Sequence, residues 1–135
     1  LVAKEHCGLK EADDSNAGTF TNFSQNDQAL YALHTYLMYL KFGFGRATDH
    51  ACLHIRRGRL SREMGLNIVR SLDGKFPWEY LGKSLVDTLS PLEITIDEFI
   101  KICDEFTNKA LFKRDTNGAL IKDINGNLTK INYDN

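Results

Sequence analysis

Lys41 to His50, KFGFGRATDH, brings two glycines, an arginine and a threonine to the start of an expected helix. Glycine tolerates φ > 0, so Gly43 and Gly45 could turn successive backbone N–H groups toward one point, as in an anion nest. Thr48 or Asp49 could cap the helix that follows. Its free N–H groups and positive dipole end favour phosphate or carboxylate, and Arg46 adds a fork of donors. The competing reading is that a Gly-x-Gly between helices is only a tight connection.

The flanking charge favours the first reading. Lys41, Arg46, Arg56, Arg57, Arg59 and Arg62 face only Asp49 in this stretch, while the formal net charge of the whole chain is -1. Local basic charge suits a discrete anionic ligand better than a nucleic-acid track, which raises the pI of a whole domain. The candidate substrate- or anion-binding residues are therefore Gly43, Gly45, Arg46, Thr48, Arg56, Arg57, Arg59 and Arg62. For Arg56 and Arg57 a solvated helix face is the alternative.

Other chemistries find less support. His50 and His54 stand four apart, yet HACLH has alanine where a zinc protease needs its glutamate, and no third ligand is evident. No metal site and no catalytic residue is expected. Cys52 reads as a small buried thiol beside Ala51 and Ile55. Cys7, Cys52 and Cys103 are odd in number and widely spaced, which fits free thiols in a reducing cytosol. No GxxxxGK[ST] loop is present, so no cofactor is expected on this chain and ATP chemistry by the chain alone is not.

The elements that must position these residues read as helical. With 135 residues, 42% hydrophobic and 26% charged, one domain with one core is expected. The longest apolar stretch, Ala29 to Leu40, falls short of the ~20 residues of a membrane span. No signal-peptide pattern appears. The chain starts at Leu1, and residues 1–24 lack periodicity, as expected of a linker or the remnant of an upstream domain. Residues 25–109 are expected to form the helical domain and 110–135 a hairpin-like or frayed tail. The fold class is all-α: a compact bundle of about five helices, with the turn signals Asn117-Gly118 and Asn125-Gly126 allowing a small C-terminal β-meander.

Leu30, Leu33, Leu37, Leu40 and Phe44 form the stripe of a first helix whose other faces are also apolar, so it needs cover on more than one side, from its own neighbours, another domain or a second copy. A second helix is expected from Thr48 to Arg57, ending at Gly58. A third starts at Ser61 as N-cap and buries Met64, Ile68, Val69 and Leu72. Pro77 opens a fourth carrying Trp78, Leu81, Leu85 and Leu89. Thr95 and Glu98 form the capping box of a fifth, flanked by Ile94 and Phe99 and burying Phe99, Ile102, Cys103 and Phe106. The expected core is Leu33, Leu37, Ile55, Ile68, Leu85, Phe99 and Phe106.

The stretch from Gly18 to Asp123, above all KFGFGRAT, IRRGRLSRE and DGKFP, resembles the C-terminal region of bacterial N-acetyl sugar amidotransferases of lipopolysaccharide (O-antigen) and nonulosonic-acid biosynthesis, a branch of the PP-loop ATP pyrophosphatases. The resemblance implies a cytoplasmic parent enzyme that uses ATP and magnesium to replace an oxygen of a nucleotide-linked acetamido sugar with ammonia, giving an acetamidino group. It implies as partners an upstream PP-loop ATPase domain and glutaminase and synthase subunits that supply ammonia. The SGGxDS-type ATP loop and the N-terminal cysteine-rich segment of that family are absent here. What carries over is Gly43, Gly45, Arg46, Thr48, Arg56, Arg57, Gly58, Arg59 and Arg62, with roles in anion contact or interdomain packing. Two alternatives stand beside this. The two helices joined through Gly58-Arg59-Leu60 could be a nucleic-acid-binding helix-turn-helix with Arg62, Asn67 and Arg70 facing a groove, or the apolar first helix could serve a homo-oligomer or other interaction module.

Overall fold

Tyr31–Phe42 forms α1, the helix around which the rest is built. The computed structural model describes residues 30–131. With apolar residues on most faces, α1 buries Leu33, Tyr36, Tyr39 and Leu40, and neighbours from this chain cover them. Gly43 ends the helix in the left-handed region at φ 76, its N–H donating to Tyr39 O at 2.8 Å. A glycine there avoids the Cβ penalty of that conformation.

Two helices then form an arm: α2, Arg46–Arg56, and α3, Arg62–Leu72. Ser61 caps α3 as expected, its side chain accepting from the Met64 N–H at 3.2 Å. Small residues let the pair approach. Ala47, Ala51 and Gly65 are the buried positions, and a Cβ on Gly65 would lie 2.8 Å from Ile55 Cδ1. The arm keeps its larger side chains out of the main core: Ile55 and Ile68, expected there, are only partly buried, and Met64, expected inside α3, is exposed. The face of α3 that packs is the one with glycine, which a hydrophobicity pattern does not mark.

The expected fourth helix is replaced over its first half by a hairpin. Strands β1, Glu79–Tyr80, and β2, Lys83–Ser84, pair antiparallel, Glu79 with Ser84 and Tyr80 with Lys83. Only α4, Leu85–Leu89, is α-helical, followed by a 3-10 turn at Ser90–Leu92. Leu81 and Gly82 both take positive φ, 53° and 71°, so the Leu81-Gly82 pair acts as a two-residue hairpin turn in place of the usual Asn-Gly. Helix α5, Ile96–Phe106, has the expected capping box: Thr95 accepts from Glu98 N–H, and Glu98 accepts from Thr95 N–H at 2.9 Å. Its buried residues are Phe99 and Cys103, whereas Ile102 and Phe106, expected inside, are exposed.

The segment after α5 completes the core. Phe112 has 0% exposure and Leu128 is buried with Tyr36, Leu40, Leu85, Leu89 and Phe99. Its turns repeat every eight residues. The Lys113 N–H donates to Thr129 O, Ile121 N–H to Lys113 O and Thr129 N–H to Ile121 O, closing a three-membered ring of backbone bonds. Asp115 and Asp123 each accept two backbone N–H groups in equivalent Asx turns, Asn117 and Ala119 for one, Asn125 and Asn127 for the other. Turns form at Asn117-Gly118 and Asn125-Gly126, but the pairing consists of isolated antiparallel bridges, not a meander. Trp78 Nε1 donates to Asn125 O and Phe76 N–H to Asn127 Oδ1, so this knob also clasps the segment before β1. Among the described residues no helix is long and apolar enough to cross a membrane.

Candidate functional site

Helix α2 starts at Arg46, two residues earlier than expected, with Gly45 as an extended N-cap that has no side chain to offer. Its first N–H groups therefore need an outside acceptor. They have one from the far end of α3. Gly45 N–H donates to Asp73 Oδ2 at 2.9 Å, Ala47 N–H to Oδ1 at 3.1 Å and Thr48 N–H to Oδ2 at 3.3 Å, while the Thr48 hydroxyl donates to Oδ2 at 2.6 Å. The donors at this helix start converge on the chain's own carboxylate. Negative charge at this helix end is favoured by the dipole as well as by the four donors.

The glycines have different jobs from those the pattern suggested. The Gly43 N–H is committed to ending α1, so it does not join the cradle. Gly45 is required by close approach: a Cβ there would lie 2.5 Å from Asp73 Oδ1. Beyond Asp73, Gly74 takes φ 77 and packs so tightly on Tyr39 that a Cβ would collide with the ring. The root of the arm is thereby fixed against α1.

Arg46 is half-buried at this root. Its Nε is buried and has no hydrogen-bond partner among the described residues. It lines a cavity of about 10 Å³ together with Thr35, Tyr36, Asp73, Lys75 and Pro77. That volume holds one water-sized oxygen. Arg46 does not pair with Asp49, which is exposed. One turn on, burial and then the Arg46 charge lower the pKa of His50.

The remaining basic residues lie elsewhere. Arg56, Arg57, Arg59 and Arg62 are all exposed at the other end of the arm, about 15 Å from Arg46 by the rise of α2. The eight expected residues thus divide into a root group, Gly43, Gly45, Arg46 and Thr48, and a tip group of four arginines. Sequence reasoning did not single out Asp73. The signal available was an acidic residue directly after α3 in a helical pair short enough for its two ends to meet.

Among the described residues no cluster of three metal-ligating side chains exists. Cys52, expected buried, is exposed, and Cys103 is buried, with desolvation pushing its thiol up to about 12. Cys7 lies outside the described residues. Because Asp73 joins the end of α3 to the start of α2, the two helices run antiparallel as a closed αα-hairpin, unlike the crossed pair of a DNA-reading helix-turn-helix.

The fold and site define a mostly helical domain with a two-helix arm, the start of α2 capped by Asp73 and four exposed arginines at the arm's tip. The chain belongs to a family of lipopolysaccharide biosynthesis proteins: residues 17–125 match the family described as LPS biosynthesis protein WbpG-like, C-terminal domain. No curated protein matches the chain.

Proposed function

We propose that this chain is the C-terminal domain of an ATP-dependent N-acetyl sugar amidotransferase, which converts acetamido to acetamidino on a nucleotide-linked sugar for surface polysaccharide such as O-antigen, in the cytoplasm. The observation that carries this reading is the family match over residues 17–125. In this proposal the reaction is run by an upstream PP-loop domain with ATP and magnesium, fed with ammonia by glutaminase and synthase subunits. The described residues at this site do not fit ATP: the helix terminus with converging donors holds Asp73, and the cavity beside it accepts a single oxygen. No step is assigned to ATP on this domain.

What the domain contributes is a contact to one anionic oxygen of the substrate, by Arg46. Among the described residues its buried Nε–H has no acceptor, a state that costs free energy unless another oxygen completes it. Lys75 at the same cavity adds a second positive charge. Gly43, Gly45 and Thr48 then act as the scaffold that sets Arg46, and the tip arginines act in packing against a neighbouring surface. The test is the parent protein with ATP, magnesium, ammonia and a UDP-linked acetamido sugar, assayed for pyrophosphate and for exchange of the acetamido oxygen for NH. An unmodified sugar would overturn the reading.

A further inference from the structure

Helices α2 and α3 leave between them an open apolar groove of about 240 Å³, lined by Ala51, Cys52, Ile55, Leu66 and Val69 and ended by Arg62. Leu66 is 44% exposed. Arg62 and Leu66 stand four apart on α3 and Val69 three further on, so one helical face presents them in line. Around the groove's tip, Arg57, Arg59 and Arg62 have no carboxylate partner among the described residues, and the Arg56 Nε–H reaches only Cys52 O. Exposed apolar surface rimmed by unpaired cations fits an amphipathic helix with an acidic rim.

The chain carries such a helix. On the outer face of α5, Ile102 and Phe106 are 46% and 44% exposed, four residues apart. Glu98 and Glu105 flank Ile102 on the same face, with Glu93 just before the helix; the cations there are Lys101 and the Lys41 ammonium, which lies 4.9 Å over the Phe106 ring. This face is the one that the sequence pattern expected to be buried. Burial there would cover two large apolar side chains, and carboxylates would meet guanidiniums, the arrangement that gives an interface its register.

We infer that the chain self-associates, the arm groove of one copy receiving the acidic outer face of α5 of a second copy. In a two-fold pair each copy supplies both surfaces, and the contact closes. The inference is independent of the amidotransferase reading.

Sedimentation of the full chain across micromolar to millimolar concentration tests it, with circular dichroism to show that variants keep their helices. The expected result is a mass that rises with concentration and falls in high salt. Arg62→Glu and Glu105→Arg, both at exposed positions, should each weaken association by roughly tenfold or more, and an equimolar mixture of the two should recover it. Leu66→Glu should abolish it. A monomer at every concentration would overturn the inference, as would association indifferent to the two charge reversals or a mixture that does not recover. A monomer that instead binds the upstream region of its parent, with binding lost in Leu66→Glu, would also overturn it and assign the groove to that region.

Discussion

Asp73 and Thr48, 25 positions apart in sequence, meet at 2.6 Å where the hydroxyl of the first turn of α2 donates to the carboxylate just past the end of α3. This contact and the three backbone bonds beside it turn two helices into a closed arm and settle which anion occupies the helix terminus. Asp73→Ala should therefore leave four donors without their acceptor and cost about 2 kcal/mol, as for loss of a strong helix cap. Thermal melts check it. An unchanged Tm would show that the arm closes without the carboxylate.

Gly45→Ala should act through the same contact. The added methyl falls on Asp73 Oδ1, so the carboxylate must move and the cap weaken. The double variant Gly45→Ala with Asp73→Ala should be less destabilised than the sum of the singles, because both disturb one interaction. Additive losses in the double-mutant cycle would separate the two effects.

The clarity of the sequence varied with how local each interaction is. The Thr95–Glu98 box and the Ser61 cap lie within four residues of chain, and both were legible. The cradle at α2 was legible as geometry, since glycines and a helix start are local signals, but its occupant came from Asp73, which no local pattern identifies. The hairpin at Leu81-Gly82 was hidden because leucine rarely takes positive φ, and Leu81, Leu85 and Leu89 mimic helical spacing. The burial of Phe112 was hidden because Ala110-Leu111-Phe112 is a short apolar run without periodicity, while its partners are α1 residues such as Tyr39, 5.5 Å away between ring centroids. An eight-residue repeat from Lys113 onward was visible in the sequence and would have marked the knob as ordered.

The stability of the domain should fall on mild acidification through His50. Burial and the neighbouring Arg46 charge depress its folded pKa below the ordinary 6.5. The unfolded chain then takes up the proton more readily, so this contribution is complete above about pH 6.5 and is lost as pH drops below it toward the folded value. Chemical denaturation between about pH 7.5 and pH 5 should show that decline, and His50→Asn should flatten part of it. An unchanged slope in the variant would remove His50 as the source.

The thiols should react very differently. In a Cys7→Ser background, Cys52 should be titrated quickly by a thiol reagent in the native protein, and Cys103 only on unfolding, because Cys103 is buried and its thiol is pushed up to about 12. Two fast equivalents would contradict the burial of α5 against α1.

The central claim, that this domain serves sugar amidation through Arg46, is tested most directly by incubating the complete parent protein with ATP, magnesium, heavy-nitrogen ammonia and a UDP-linked acetamido sugar, wild type beside Arg46→Lys. The expected result is label in an acetamidino group with wild type, and a loss in the variant equivalent to roughly 1.5–3 kcal/mol at unchanged Tm, since lysine keeps the charge but loses the guanidinium geometry. No labelled sugar with wild type, or equal activity in the variant, would contradict the account.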